Sequence, residues 1–528
     1  MVNSARLIRR PPAIFRILAS WARVFGGRTV AVLGLLAVVA VTRTAGSVGY
    51  VVDPESRGVL AAYLDPFLAQ HDLGTGQLAA FFCDGATGQV LYARHEHLAL
   101  KPASNNKLLT TAVALHYLGR DFRYQTLVAT RGVQRGETLE GDLVVVGSGD
   151  PSISGRFVPN HDRTAVFRRW AEMLGQRGIR RITGDIVGID DFFDDQGQAP
   201  GWPDEERGEW YCAEVSALAF NDSCVDLRWM GAKTSAKEPA AFDLIPPTKY
   251  VQIVNFVTTT KDKGPHERYY ERPATSNVIT VRGRVASGEE VFDSATVSNP
   301  TLYFVTVLAE TLRAAGIEVK GAPHDADEYA DKSIFHRSLE PLTIHKSPPL
   351  LQLIEVVNCN SHNFYAEQIL KTLGKKVVGE GSFDAGTRVV RRYLETNGVD
   401  CRGLRLVDGS GLSRFDRVTP AQLVAVLRTV DQTPDGPLFR ETLPQGGKTG
   451  SLRKRFQGDV GLRKAGPRVR AKTGYIRGCH SLSGWLETRA GQSICFSVLC
   501  NDLPMTDDET KLFIERLVTR VANLNKKQ

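Results

Sequence analysis

The 528-residue chain reads as a multidomain α/β protein, an antiparallel sheet with helices on its faces, interrupted by a large β-rich inserted region. Three observations predict this. Near the start, residues 78–83 and 89–92 are apolar stretches joined by Asp84-Gly85-Ala86-Thr87-Gly88, a hairpin, and an apolar helical segment follows. Near the end, residues 468–476, 481–487 and 493–501 read as strands and lead into an amphipathic segment. Between about residue 122 and residue 339 the texture changes to short strands separated by Gly, Pro and Asp turns.

The elements follow in order. Residues 1–46 are expected to form a signal peptide or membrane anchor. Arg6, Arg9, Arg10, Arg16, Arg23 and Arg28 precede the apolar run 30–41, and no acidic residue occurs before Asp53. The run is short for a membrane span. The small-residue site Thr44-Ala45-Gly46 matches a cleavage signal poorly, so a cleaved signal, an uncleaved anchor and a start codon placed too far upstream all fit. In each case the remainder is expected to be exported, to the periplasm or the outer face of the cytoplasmic membrane. After the hairpin, Leu108, Leu109, Ala112, Val113, Ala114, Leu115 and Leu118 predict a buried helix closed by Gly119. In the middle region, strands such as 141–146 and 277–284 are interrupted by helices at 163–175 and 301–315. Residues 350–357 are helical, Asn358-Cys359-Asn360 break the pattern, and a second helix over 364–373 is expected to end at Gly374. The last helix carries Leu512, Phe513, Leu517, Val518 and Val521 and starts at Thr506-Asp507-Asp508. Residues 47–121 and 340–528 are thus expected to form one discontinuous unit, with 122–339 inserted.

Three short motifs stand in a fixed order: Ser104-Asn105-Asn106-Lys107, Ser361-His362-Asn363 and Lys472-Thr473-Gly474. On a helix, Ser104 and Lys107 share one face. At a helix start, unpaired N–H groups favour a developing oxyanion. A serine is a poor nucleophile until a neighbour takes its proton. A buried Lys107 does so if desolvation and a second cation, such as Lys472, lower its pKa. Alone, the same residues fit an N-cap serine beside a solvated lysine. Ser361 and Asn363, in a loop between helices, are placed to relay a proton and to hold an amide or the lysine; alone they fit a turn capping the next helix. Lys472 and Thr473 suit a substrate carboxylate, Gly474 admits a close backbone, and the Tyr475 N–H falls where a second oxyanion donor is needed. Alone, this is a basic edge strand.

Other chemistries find little support. A second Lys-Thr-Gly at Lys448-Thr449-Gly450 and a second Ser-x-x-Lys at Ser451-Leu452-Arg453-Lys454 overlap in a Gly-rich basic loop and open no apolar helix. The P-loop imitation at Gly447-Lys448-Thr449 lacks its first glycine, because position 442 is Thr. The chain has no Gly-x-Ser-x-Gly, no His-Glu-x-x-His and no Cys-x-x-Cys; neither a metal nor a cofactor is expected. The net charge of +8 is dispersed, which suits an anionic polymer or lipid better than nucleic acid. Among the eight cysteines, Cys212 and Cys224 are the first candidates for a disulfide, with buried free thiols as the alternative.

The three motifs belong to a set known for penicillin-binding proteins and β-lactamases. Further segments narrow the resemblance: Gly147-Ser148-Gly149-Asp150-Pro151, Gly201-Trp202-Pro203, Ala217 to Asp222, Asn363 to Glu367, Asp408 to Arg414, Arg470 to Gly474 and Ser481 to Gly484. The chain resembles the D-alanyl-D-alanine carboxypeptidase/endopeptidase family, the class C low-molecular-mass penicillin-binding proteins, over nearly everything after residue 55. The resemblance implies a penicillin-binding/β-lactamase-like transpeptidase domain with two smaller domains inserted between the first and second motifs. It implies cleavage of D-Ala-D-Ala or D-Ala-diaminopimelate bonds in peptidoglycan stem peptides, with β-lactams as covalent inhibitors. Ser104 is then the acylated nucleophile and Lys107 its base; Ser361, Asn363 and Lys472 assist, and Thr473 binds the terminal carboxylate. Asp190 resembles the inserted-domain aspartate that meets a diaminopimelate amine, although its local sequence also fits a strand-end turn.

One departure stands out. The family has Thr or Ser after Lys-Thr-Gly, and here a ring, Tyr475, replaces that hydroxyl. The backbone N–H survives, so acylation is expected, while carboxylate recognition is put in question. Position 362 varies in the family, so His362 signals little. A β-lactamase or esterase of the same fold, and a non-catalytic wall-binding homologue, remain as alternatives. The sequence sets no oligomeric state.

Overall fold

The computed structural model describes residues 58–233, 238–264, 266–337 and 339–527, so the expectations for residues 1–46 lie outside it. A five-stranded antiparallel sheet organises the two ends of the chain. Its order is Val469–Ile476, Cys479–Glu487, Ser493–Asn501, Gln77–Asp84 and Val90–Arg94. Strand periodicity explains why it is buried on both faces. Ala79, Phe81 and Cys83 pack into one core, while the alternating Leu78, Ala80 and Phe82 pack into another. Phe82 stacks on Phe496 across the strand pair with ring centroids 5.6 Å apart. The first face is covered by Asn106–Leu118, Leu350–Cys359, Asn363–Val378 and Pro420–Asp431; the second by Ala61–Leu68 and Asp507–Ala522. The layers are therefore helix, sheet, helix.

The intervening stretch builds three other sheets and its own core. Gln125–Arg135 and Thr138–Val146 form its longest hairpin, and helices Ala165–Gln176 and Pro300–Ala314 supply apolar residues to the same core. Glu340–Lys346 pairs antiparallel with Gln125–Arg135. The sheet of the inserted stretch therefore runs past the expected boundary at 339, because this strand completes an edge before the chain returns to Leu350.

Two expectations are corrected. Helix Asn363–Val378 does not stop at Gly374 but runs through it to a left-handed Gly379, φ +88°. Gly374 is a packing glycine: a Cβ there would stand 2.5 Å from Glu380 O and 2.9 Å from Ala385 Cβ, at the start of the helix Phe383–Thr396. Cys212 and Cys224 are both buried, and all eight cysteines are free thiols. No helix among the described residues is long and apolar enough to cross a membrane.

Candidate active site

Ser104 lies in a single 3-10 turn, Ala103–Asn105, that leads into helix Asn106–Leu118. The turn is clamped from the sheet. Asn105 Nδ2 donates to Lys472 O at 3.0 Å, and Ser481 Oγ donates to Pro102 O at 2.7 Å. Gly474 sits against the same turn, where a Cβ would collide with Ser481 Oγ and reach 3.0 Å from Ser104 N. The space that only glycine leaves open is thus taken by the Ser104 turn and by Ser481.

Lys107, the second residue of that helix, is fully buried. Its Nζ lies 2.9 Å from Ser104 Oγ, 2.7 Å from Asn363 Oδ1 and 2.8 Å from Ser410 O. Burial pushes its pKa down to about 7, against the opposing pull of Glu367 and Asp408. As a neutral amine it has two N–H donors for Asn363 and Ser410 and one lone pair for the Ser104 proton. Asn363 is held in register because its Nδ2 donates to Tyr211 O at 2.9 Å. Lys472 Nζ donates to Ser361 Oγ and Thr473 O, each at 2.8 Å. Desolvation lowers its pKa well below the usual lysine value, and Lys107 adds to this. Ser361 has a left-handed backbone, φ +62°, a strained conformation for a non-glycine residue in the loop that presents Asn363. Ser104, Lys107 and Asn363 therefore form one hydrogen-bonded group and Ser361 with Lys472 a second, the two lysines being close enough to interact electrostatically.

Thr473 Oγ1 donates to Ser451 Oγ at 2.7 Å, so the loop containing the second Lys-Thr-Gly lies against the first. Tyr475, half-exposed, directs its hydroxyl to Asp507 Oδ2 at 2.6 Å, at the start of the last helix. The strand carrying Lys472 is an edge strand. Residues 444–446 pair along its first half, through Gly446 N to Val469 O and Ala471 N to Pro444 O.

Asp190 is not brought to this cluster. It follows strand Ile186–Ile189 and accepts from Ser216 Oγ at 2.9 Å and Thr301 Oγ1 at 2.6 Å. Burial raises its pKa. Asp325 and Asp327 come close to it, but Lys332 Nζ already donates to Asp327 at 2.6 Å. His362 also turns elsewhere. Its Nε2 lies 3.0 Å from Asp222 Oδ2, which also pairs with Arg156 at 3.1 Å, beside a cavity of about 440 Å³.

Sequence reasoning missed the support beneath Lys107. Glu367 is buried in helix Asn363–Val378 and accepts from Gly409 N at 2.7 Å and Ser410 N at 2.8 Å, which aims Ser410 O at Lys107. Burial raises Glu367 to about 8, with Asp408 adding repulsion. Asp408 in turn accepts from Gly411 N, Ser413 N and Trp202 Nε1. The segments Asp408 to Arg414 and Asn363 to Glu367 stood out by resemblance, but without coordinates a helical glutamate reads as a solvated one.

Residues 60–524 match the family described as D-Ala-D-Ala carboxypeptidase 3 (S13). The D-alanyl-D-alanine carboxypeptidase of Actinomadura sp. (strain R39) is 32% identical over 432 residues, 79% of this chain and 76% of that protein. The D-alanyl-D-alanine carboxypeptidase DacB of Haemophilus influenzae is 25% identical over 425 residues, 80% of this chain and 85% of that one. A crystal structure of penicillin binding protein 4 from Haemophilus influenzae shares the fold, with a TM-score of 0.74 at 22% identity, covering 88% of this chain and 100% of that chain.

Proposed function

Because the chain belongs to the D-Ala-D-Ala carboxypeptidase 3 (S13) family, we propose that it is a serine DD-peptidase whose nucleophile is Ser104. The observation that carries this reading is the Lys107 amine, 2.9 Å from Ser104 Oγ and poised near neutrality by burial. Ser104 Oγ attacks the carbonyl of a D-Ala-D-Ala or D-Ala-diaminopimelate bond in a peptidoglycan stem peptide, and its proton passes to Lys107 Nζ. The Ser104 and Tyr475 N–H groups face the oxyanion. Lys107 gives that proton back through the Ser361 hydroxyl, held by Lys472 Nζ, to the leaving amine, and is neutral again. The Ser104 ester that remains is hydrolysed by water, with Lys107 again accepting the proton. The hydroxyl of Thr473 receives the terminal carboxylate. Asn363 aims Lys107 and offers its amide to the substrate.

β-Lactams acylate the same oxygen in this reading; the Haemophilus influenzae protein has been crystallised with one. The substrate and the arginine-rich, apolar N-terminal sequence support action outside the cytoplasm, in the periplasm or on the outer face of the cytoplasmic membrane, with the N-terminus as the membrane contact in this reading. The separate core of the inserted stretch supports its division from the catalytic unit; its further division into two smaller domains rests on the family resemblance alone.

The test is acylation of the full chain by a fluorescent penicillin, alongside release of D-Ala from a stem pentapeptide. Both are expected for the wild type and neither for Ser104→Ala. Undiminished D-Ala release by Ser104→Ala would overturn the assignment.

A further inference from the structure

Position 475 is where a bulky ring meets a small-substrate cleft, and the structure shows how the ring is held. Thr473 and Tyr475 are two residues apart on one strand, so their side chains leave the same face of the sheet. Unrestrained, the ring would share the space over Thr473 that the substrate terminus needs. Three contacts restrain it. The phenol donates to Asp507 Oδ2 at 2.6 Å. Its cross-strand partner His480 places its ring 5.0 Å away and its Nε2 2.9 Å from Asp507 Oδ1. Lys511 Nζ lies 5.7 Å over the ring. Asp507 therefore uses both carboxylate oxygens on this one arrangement, and the preceding Thr506 keeps it in place. Thr506 caps the last helix in a reciprocal bond pattern with Glu509.

The charges agree with this geometry. The Asp507 carboxyl is held below its usual range, first by the Tyr475 hydroxyl and then by His480, while the phenol is pushed up to about 12, first by its bond to Asp507. The carboxylate and the neutral phenol are thus the paired forms at neutral pH, a charge-assisted hydrogen bond. A second carboxylate, Glu206, faces Tyr475 from the inserted stretch and raises the phenol pKa further.

We propose that Asp507 is a positioning residue for substrate specificity: it ties Tyr475 to the start of the last helix and so keeps the subsite beside Thr473 open for the substrate's terminal residue. This rests on the DD-peptidase reading above. Asp507 touches no reacting atom in this account; it acts only through the ring.

A double-mutant cycle in the full chain tests it, using kcat and KM for D-Ala release from a stem pentapeptide. Asp507→Ala is expected to raise KM about tenfold with little change in kcat, the scale of one charge-assisted hydrogen bond. In a Tyr475→Thr background, where no ring remains to restrain, the same Asp507→Ala is expected to change KM by less than about twofold. An equal KM increase in both backgrounds would overturn the proposal, since the effect would then come from the helix start and not from the ring. So would a change confined to kcat, or no change in either background. A wild type that releases no D-Ala would overturn the DD-peptidase reading and this inference together; an active wild type with an additive cycle would overturn this inference alone.

Discussion

Asn363→Asp places a carboxylate where an amide oxygen now accepts from Lys107 Nζ at 2.7 Å. Lys107 is held down to about 7 chiefly by burial. An opposite charge this close raises a pKa by about 1–3 units; with a shift of about 2, the neutral fraction at pH 7 falls from about one half to about one in a hundred. Acylation at pH 7 should then slow about fiftyfold, because only the neutral amine accepts the Ser104 proton. The sign follows from the direction of the shift. A raised lysine pKa retains the proton to higher pH, so the acid limb of the acylation profile should move from near pH 7 to about pH 9. The assay is the rate of labelling by a fluorescent penicillin across that range, with wild type beside the variant. Recovery at alkaline pH is the signature. If the variant were equally slow at every pH, the lost Tyr211 O contact would be the cause and the proton-acceptor reasoning would fail. An unmoved limb would refute it as well.

Other outcomes follow from the support around the cluster. Glu367→Gln leaves one acceptor oxygen for two backbone donors, Gly409 N and Ser410 N, and should cost about 1–3 kcal/mol, read as a lower urea midpoint together with slower acylation. Gly374→Ala should destabilise by about 1–3 kcal/mol through overpacking against Ala385, outweighing the roughly 1 kcal/mol that alanine gains in a helix. In denaturant without reductant, all eight thiols should react with a thiol reagent; a smaller count would contradict the free state of Cys212 and Cys224.

Much of the fold was readable from local pattern. An apolar run at 78–83 closed by a Gly-containing turn, and polar–apolar alternation over 468–476, marked strands, and one sheet buried on both faces followed once each alternate set met its own helices. Gly374 misled because a helix-ending glycine and a packing glycine are identical in sequence; only the approach of Ala385 separates them. The loop at Lys448 to Lys454 opens no apolar helix and so reads as no catalytic motif, yet folding places Ser451 on Thr473, a contact no spacing encodes.

By itself the sequence determined the order of the three motifs, the helical phase of Ser104 and Lys107, and the strand that carries Lys472. These depend on neighbours a few residues apart, where backbone geometry dictates which side chains share a face. The tertiary structure decided the rest. Lys107 becomes a base only when Asn363 and Ser410, 256 and 303 residues away, take its two remaining donors and packing buries its amine completely. Folding also sets Asp190 against Ser216 and Thr301, contacts that its local sequence does not announce. Desolvation and long-range hydrogen bonding are properties of the packed chain, and they turn an ordinary lysine into one poised near neutrality.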